Sequence, residues 1–347
     1  MVTLALELAG ALVAARPGRR VTFFCSRRRP DGLLAQPAIL SPHRHELANK
    51  LFWLPFVEAQ AELDAILYPY WPPPPWRTRR APPAAVFVHD LAFRIRPDEV
   101  PWQQRAYLGT LLPPALRRAR AIIVPSQSAQ ADLLQHFPLP SLEERVHVIP
   151  EGPTPFPPRP APLPEGILPG FILAVGTVER RKNYRRLADA YRMLRQRSAA
   201  VPPLVVAGKE GWANEDTLRR LRAEPGVQLL GHVEDAVLLA LYQHARLLAF
   251  PSLYEGFGLP LLDAFATGLP ALISSTGALP EVAGGAALMV EAEQPEAIAA
   301  GLERLLSDEP LRRVLAERGR ERAAEFSWQR AGAAVAGLLD TIAAREG

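Results

Sequence analysis

Residues 251–263 read PSLYEGFGLPLLD and place two carboxylates eight positions apart around a glycine-containing turn. The two glycines of this turn would let main-chain N–H groups approach a ligand closely, and Pro260 is favoured in the first turn of a helix. The stretch therefore predicts a helix N-terminus suited to a diphosphate. Because a carboxylate would repel phosphate, we expect Glu255 to face sugar hydroxyls, while Asp263 can accept from a ribose diol. In the alternative, both carboxylates only complement the helix dipole.

A second candidate for anion chemistry is the basic turn VGTVERRKN at residues 175–183. An apolar run ends at Val175, and Asn183 is a good N-cap for a following helix. Arg181 and Lys182 would then lie at a helix N-terminus, where the dipole already favours phosphate. The alternative is a solvated basic helix start with no ligand.

These candidate sites lie within a regular alternation of short apolar runs and longer helical patterns. The apolar runs are uniformly hydrophobic, which is typical of parallel strands covered on both faces by helices. Strands are predicted at 21–25, 65–68, 85–89, 121–125, 146–150, 171–175, 204–208, 227–231, 247–251, 270–274 and 287–290. Helices are predicted at 45–61, 100–118, 183–198, 213–223, 235–245, 260–267, 295–306 and 309–324, with another over 326–346. Strand and helix repeated in this way predict an α/β protein with doubly wound sheets.

The proline-rich segment 151–170 divides this series into two halves and predicts an interdomain linker. A second proline cluster at 71–83 is interpreted as a stiff surface loop. The opening residues predict an amphipathic helix with Leu4, Leu8, Leu12 and Val13 on one side.

Composition narrows the class of protein. The formal charge is +4, from 40 basic and 36 acidic residues, which is too small an excess for a nucleic-acid-binding footprint. Cys25 is the only cysteine, which suits a reducing cytosol. No apolar run reaches the ~20 residues of a spanning helix. His43 and His45 near Glu46 lack further metal-ligating neighbours and are interpreted as part of a solvated loop.

The motifs together resemble retaining glycosyltransferases of family four. PSLYEGFGLPLLDAFATGLP is similar to the glutamate-x7-glutamate signature of that family, and GTVERRKN is similar to its phosphate-binding turn. TGALPEVAGGAALMV, IIVPSQSAQADL and VHVIPEG resemble further segments, so that the likeness covers roughly residues 85 to 330. The resemblance implies the GT-B fold, with two Rossmann-like doubly wound parallel-sheet domains facing across a cleft. We expect domains at 1–155 and 156–326, with the helix at 327–347 packing back on the first.

The resemblance also implies roles for individual residues. Arg181 and Lys182 would neutralise the donor diphosphate, Glu255 would face the donor sugar, and Asp263 would hold the ribose. His89, in the tripeptide HDL, would lie near the anomeric carbon; a lone histidine is more often structural. The remaining donor-binding residues fall into three groups. Gly176 and Thr177 belong to the phosphate-binding turn, and Gly231, His232 and Val233 would contact the nucleotide base. Gly256, Phe257, Gly258 and Leu259 would offer main-chain donors to sugar and phosphate.

The activity implied is transfer of a hexose, mannose before glucose, from a nucleotide diphosphate sugar to a glycan or lipid-linked acceptor. GDP-mannose is the first expectation for the donor and UDP-glucose the second, with no metal and no other cofactor. The location would be cytoplasmic, with contact to the inner membrane face left open. The alternative is a GT-B-shaped nucleotide-binding or scaffold protein that lacks acceptor chemistry.

The sequence departs from the family pattern in two places. Asp263 stands where the family has a second glutamate, so its carboxylate is one methylene shorter. The first strand and the glycine-rich loop of the family are not found ahead of the helix at VTLALELAGAL. Since loss of a central strand exposes buried edges, we expect another element, a partner chain or residues upstream to cover the gap.

Overall fold

The computed structural model describes residues 2–25, 37–41, 49–70, 72–74, 76–78, 80–211 and 215–344. The chain divides into two compact units. The first unit contains Met1–Arg94, Gln103–Glu151 and Ser327–Gly347, and the second contains Ile95–Trp102 and Gly152–Phe326.

The second unit is built on one six-stranded parallel sheet. Its strands are β7 (Ile172–Val175), β8 (Leu204–Ala207), β9 (Val227–Gly231), β10 (Leu247–Phe250), β11 (Ala271–Ser274) and β12 (Leu288–Val290). They lie in the order β12-β11-β10-β7-β8-β9, all neighbours parallel. This is the strand order of a classical dinucleotide-binding fold, in which the chain reverses direction across the sheet between its first and fourth strands. The prediction of a doubly wound sheet is confirmed.

Both faces of this sheet are buried, as the uniformly apolar runs predict. On β7, Leu173 and Val175 face one hydrophobic cluster, whereas Ile172 and Ala174 face the other. The alternation follows from the two-residue repeat of a strand. The helices of this unit are α6 (Tyr184–Arg197), α7 (Glu215–Ala223), α8 (Asp235–His244), α9 (Leu259–Thr267), α10 (Leu279–Ala283), α11 (Pro295–Ser307) and α12 (Glu309–Ala323).

The first unit contains two separate parallel sheets. The smaller pairs β1 (Phe23–Cys25) with β2 (Ala38–Leu40), and the larger has the order β3-β4-β5-β6. The strands of the larger sheet are β3 (Ile66–Tyr68), β4 (Ala84–Phe87), β5 (Ala121–Val124) and β6 (Val146–Val148). The helices are α1 (Val2–Ala15), α2 (Leu54–Gln60), α3 (Ala92–Ile95), α4 (Trp102–Arg118), α5 (Gln127–His136) and α13 (Trp328–Ala344). Ile95 at the end of α3 and Trp102 at the start of α4 fall in the second unit.

Two of the elements missing from the prediction, β2 and α5, have simple local causes. Strand β2 is short and helix α5 is rich in polar residues, so neither gives a strong apolar pattern. Helix α5 does carry a start signal, because the Ser126 hydroxyl accepts from the Ala129 N–H at 3.0 Å. The predicted helix at 45–61 is described only from Asn49, where a π-helical turn precedes α2, and residues 45–48 lie outside the described range.

Two helices from opposite ends of the sequence pack closely in the first unit. A Cβ placed on Gly332 of α13 would lie 2.6 Å from the Cβ of Ala11 in α1, so only glycine permits this approach. Arg16 Nε donates to Asp340 Oδ2 at 3.1 Å beside that contact. Leu8 of α1 is buried, in agreement with the predicted amphipathic helix. Within the described ranges, no helix is both long and apolar enough to cross a membrane.

Candidate active site

The candidate site lies at the carboxyl ends of β7 and β10, which are neighbours at the reversal point of the six-stranded sheet. Ligands of open α/β sheets bind outside the strand ends at this point. The basic turn follows β7, and the loop 251–258 follows β10. The Leu253 N–H donates to the Arg181 carbonyl at 2.8 Å and ties the two loops together. The topology therefore brings together two motifs that lie about seventy positions apart in the sequence.

A buried ion cluster occupies this junction. Glu255 Oε2 accepts from Arg181 Nη1 at 2.8 Å, and Glu255 Oε1 accepts from Lys182 Nζ at 2.6 Å. The three side chains are between 8% and 15% exposed. Arg181 also donates to Glu179 Oε1 at 2.8 Å and to the Tyr254 carbonyl at 2.8 Å. The carboxylate expected to face the sugar is therefore held by the two cations expected to face the diphosphate.

The two neighbouring cations favour the charged form of Glu255. Burial raises the pKa of Glu255, but the charges of Arg181 and Lys182 outweigh this effect and bring the pKa to about 2. The carboxylate is therefore charged at any physiological pH. Since both cations are already fixed and largely desolvated, the cluster is preorganised to receive an anion that competes with Glu255.

Glycines at the two strand ends let the loops approach each other. Gly176 has φ +131°, and a Cβ there would lie 3.3 Å from Lys182 Cε. Gly258 has φ +111° just before α9, and a Cβ there would lie 2.6 Å from Leu279 Cδ2. Helix α9 begins at Leu259, one residue before the predicted start, with Pro260 in its first turn. Thr177, next to Gly176, belongs to the same turn.

Phe257 differs from its neighbours because its side chain belongs to the hydrophobic core. It is 5% exposed and packs edge-to-face on Phe326, with ring centroids 5.7 Å apart. The loop that was predicted to offer main-chain donors is therefore anchored by a buried aromatic ring. All residues from Pro251 to Gly258 are buried.

Asp263 lies inside α9 and contacts a residue that the sequence analysis did not single out. Its Oδ1 accepts from the Thr154 N–H at 2.7 Å, and its Oδ2 accepts from the Thr154 hydroxyl at 2.9 Å. Asp263 is 4% exposed. Burial raises its pKa to about 7, although both hydrogen bonds from Thr154 act in the opposite direction. Thr154 lies just after the motif VHVIPEG. This closeness to a recognised motif was the only feature of the sequence that could have indicated its contact with Asp263.

The residues predicted to contact the base lie elsewhere on the same sheet. Gly231 ends β9, two strands away from β7, and its carbonyl accepts from the Gly208 N–H at 2.7 Å. His232 is exposed, and Val233 packs against the core. The contact of this turn with the nucleotide base stays a prediction.

His89 belongs to the first unit, where both ring nitrogens have partners. Nε2 contacts the Pro69 carbonyl at 2.7 Å, and Nδ1 contacts Glu151 Oε1 at 3.1 Å. The ring stacks on Phe87 with centroids 4.3 Å apart. These contacts fix the imidazole just after β4. Glu151, 3% exposed, was not identified from the sequence.

Asn183 does not cap α6 as predicted. Its side chain makes no capping bond, and its backbone is left-handed with φ +61°. Nδ2 instead donates to the carbonyls of Pro251 at 3.0 Å and Ala292 at 2.7 Å. The residue therefore fastens the basic turn to the loop after β10, and the helix dipole acts without a side-chain cap.

We expect Asn183→Ala to lower the free energy of unfolding by about 2–4 kcal/mol, because it strands two buried carbonyls and places alanine in a left-handed conformation. Asn183→Gly is the matched control, since glycine tolerates the positive φ and isolates the hydrogen-bond contribution. Urea denaturation of the parent and the two variants measures the contribution of the hydrogen bonds and that of the left-handed backbone. A loss below about 0.5 kcal/mol for the alanine variant would show that Asn183 does not hold the loops together.

Within the described part of the chain, no group of three or more His, Cys, Asp or Glu side chains could hold a metal ion. His43, His45 and Glu46 lie outside the described residues, so the interpretation of that stretch as a solvated loop stays a prediction.

Sequence comparisons give the same family for both halves of the chain. Residues 168–322 match "Glycosyl transferases group 1", and residues 1–153 match "Glycosyltransferase Family 4". The chain is 30% identical over 329 residues to O-antigen chain mannosyltransferase B of Escherichia coli, covering 91% of this chain and 81% of that protein. It is 31% identical over 236 residues to MMP alpha-(1->4)-mannosyltransferase of Mycolicibacterium hassiacum, covering 66% and 56%.

Solved structures with this architecture include sucrose-phosphate synthase from Thermosynechococcus elongatus, with a TM-score of 0.75 at 22% identity over 98% of this chain and 92% of that one. WaaG, a glycosyltransferase involved in lipopolysaccharide biosynthesis, gives a TM-score of 0.70 at 18% identity over 96% and 94%. Both likenesses support the GT-B fold of two Rossmann-like domains. From the family matches and the similarity to the Escherichia coli enzyme, the chain belongs to the group 1 glycosyltransferases of family four.

Proposed function

We propose that this glycosyltransferase transfers mannose from GDP-mannose to a growing glycan, with retention of the anomeric configuration. The observation that carries the donor site is the buried cluster of Arg181, Lys182 and Glu255 at the reversal point of the second sheet. Two desolvated cations beside a helix N-terminus are suited to a diphosphate. The mannosyl group is supported by the names of two relatives at 30% and 31% identity. The glycan acceptor is supported by the O-antigen enzyme among them.

The proposed mechanism is substitution on the same face of the sugar. The glycosidic bond to the diphosphate breaks, the acceptor oxygen bonds to the anomeric carbon, and the departing phosphate oxygen takes the acceptor proton. Negative charge on the leaving diphosphate grows during this step. Arg181 and Lys182 stabilise that charge more in the transition state than in the ground state, which is the condition for catalysis. No metal ion is part of the proposal.

Glu255 has a double role in this scheme. Without donor, it keeps Arg181 and Lys182 in place at 2.8 and 2.6 Å. When the diphosphate binds, the cations gain a second anionic partner, and the carboxylate becomes available for a sugar hydroxyl. Asp263 accepts from the ribose hydroxyls in this proposal, and His89 has the role of orienting the sugar.

A thermal-shift panel with GDP, UDP, ADP and their sugars tests the donor. We expect GDP and GDP-mannose to raise the melting temperature most, because a ligand at 100 times its Kd adds about 2.7 kcal/mol to the free energy of unfolding. Mannose release or transfer with GDP-mannose then tests turnover. A preference of about tenfold or more for UDP-glucose would overturn the mannosyl assignment, and nucleotide binding without any turnover would favour a scaffold protein.

A further inference from the structure

The imidazole of His89 joins three loops at the carboxyl edge of the four-stranded sheet in the first unit. Nε2 lies 2.7 Å from the carbonyl oxygen of Pro69, which follows β3, and Nδ1 lies 3.1 Å from Oε1 of Glu151, which follows β6. His89 itself follows β4. Strand β5 lies between β4 and β6, so the ring and the carboxylate meet across its end.

Backbone hydrogen bonds on both sides of β5 bring these two side chains together. The Val88 N–H donates to the Ile123 carbonyl at 2.8 Å, and the Ile149 N–H donates to the Val124 carbonyl at 2.9 Å. Both segments therefore stay paired with β5 almost up to the histidine and the glutamate. The contact between the ring and the carboxylate is thus set by the sheet.

The two contacts of the ring need more protons than a neutral imidazole carries. A carbonyl oxygen only accepts hydrogen bonds, so Nε2 must donate its proton to Pro69. In a neutral ring, Nδ1 would then present a lone pair to an oxygen of Glu151, and an attractive contact requires a second proton between them. An imidazole holds a proton more firmly than a carboxylate does, which places this proton on Nδ1.

Two features of the surroundings favour a charged ring. The ring of Phe87 stacks on the imidazole, with centroids 4.3 Å apart and planes 17° apart, and the face of an aromatic ring attracts a cation. Glu151 is 3% exposed, and among the side chains that the structure describes, His89 is its charged partner. Because a buried carboxylate without a cation is costly, the pair is more stable with the ring charged.

The other titratable side chains near the ring are those of Tyr70 and Asp90. The ring of Tyr70 is tilted against the imidazole, with centroids 6.1 Å apart. Asp90 Oδ1 accepts from the Ala92 N–H at 3.0 Å, at the start of α3. The direct polar contacts of the imidazole are therefore with Pro69 and Glu151.

We propose that Glu151 is a positioning residue that keeps His89 doubly protonated and fixes the orientation of its ring. The inference rests on the role of His89 in the proposed function. With Nδ1 and Nε2 both donating, the ring has no free lone pair to accept a proton. His89 therefore orients the sugar as a fixed cation and is not the base, and the acceptor proton passes to the departing phosphate oxygen, as in the proposed mechanism.

Two variants separate the position of the ring from the charge of the carboxylate. In Glu151→Gln, the amide can donate to Nδ1 of a neutral ring while Nε2 still donates to Pro69, so the ring keeps its place with one proton. In Glu151→Ala, Nδ1 loses its partner and the ring can turn. We expect kcat to fall by about 10²-fold in the alanine variant and to stay within about threefold of the parent in the glutamine variant.

Nitrogen NMR of the imidazole side chains in the full chain reads the ring protons directly. The signals of His89 are assigned by their loss in His89→Gln. We expect protons on both ring nitrogens in the parent at neutral pH, and on Nε2 alone in Glu151→Gln. Glu144→Gln is the matched control, because Glu144 is an exposed carboxylate ahead of β6 and its removal changes the net charge equally. It should alter neither the ring signals nor turnover.

Three results would overturn the proposal. They are a single ring proton on His89 in the parent, turnover of Glu151→Ala within about threefold of the parent, and equal losses in the alanine and glutamine variants. The last would show that the charge of the carboxylate matters and not the position of the ring. The ring signals need no donor sugar. Two ring protons in a parent that turns over no nucleotide sugar would therefore support the pair and reject the proposed function.

Discussion

Lys182→Ala should slow turnover by about 10²–10³-fold while the protein remains folded, because it removes one preorganised cation from the leaving group. The loss should fall mainly on kcat, since the charge that Lys182 stabilises develops as the glycosidic bond breaks. Steady-state kinetics with saturating donor measures it. Glu255 keeps its contact with Arg181 at 2.8 Å in the variant, so the loop after β10 retains an ion pair.

Lys209→Ala is the matched control for this prediction. Lys209 is an exposed lysine just after β8, and β8 is the strand next to β7. Its removal changes the net charge by the same amount and should leave turnover unchanged. Lys182→Met adds a second comparison, because it keeps most of the side-chain volume over the Phe250 ring, where Lys182 Nζ lies 4.9 Å from the centroid. Turnover within about threefold of the parent in both Lys182 variants would remove Lys182 from the mechanism.

The architecture of the second unit was predictable because its signal is local and repeated. Each strand is uniformly apolar, since both sheet faces are covered, and each is followed by a helical period. The meeting of the basic turn with the loop after β10 also follows from topology, because both loops leave the carboxyl edge at the reversal point. Sequence patterns therefore singled out both loops as candidate sites.

The contacts within the site were less predictable, because they depend on which side chains meet. Electrostatic reasoning directed Glu255 away from phosphate and toward sugar hydroxyls, yet in the buried site its carboxylate pairs with the two cations expected to bind that phosphate. Asn183 has the residue type of an N-cap, but its left-handed backbone directs the amide to two distant carbonyls. No local pattern encodes a partner 68 or 109 positions away.

Asp263 gives the second large effect, and its direction depends on the sign of the pKa shift. Burial raises the pKa of Asp263 to about 7, whereas an unfolded aspartate titrates near about 4. The folded protein therefore holds a proton that the unfolded chain has already lost. The associated stability is fully present below about pH 4 and is lost as pH rises through 7.

Asp263→Asn should be more stable than the parent at pH 8 by about 2–4 kcal/mol, and the difference should vanish near pH 4. Asparagine keeps both contacts with Thr154, since its carbonyl can accept from the N–H and its amide can donate to the hydroxyl. Denaturant unfolding of both proteins from pH 4 to 8 gives the comparison. Thr154→Val removes the side-chain hydrogen bond that lowers the pKa of Asp263. The pH range over which stability is lost should therefore move to higher pH. Parallel stability curves would show that the carboxyl does not titrate in this range.

Nucleotide affinity should change in the opposite direction across the same window. A charged Asp263 can accept from two ribose hydroxyls, whereas a protonated one must donate one of its own bonds. As the pH rises, the proposed ribose contact should therefore strengthen while the free energy of unfolding falls. The protein should bind donor best at a pH where it is less stable. Asp263→Asn separates the two effects, because any pH dependence of affinity that remains in it does not come from Asp263. If parent and variant bind GDP with the same pH profile, Asp263 fastens Thr154 and does not hold the ribose.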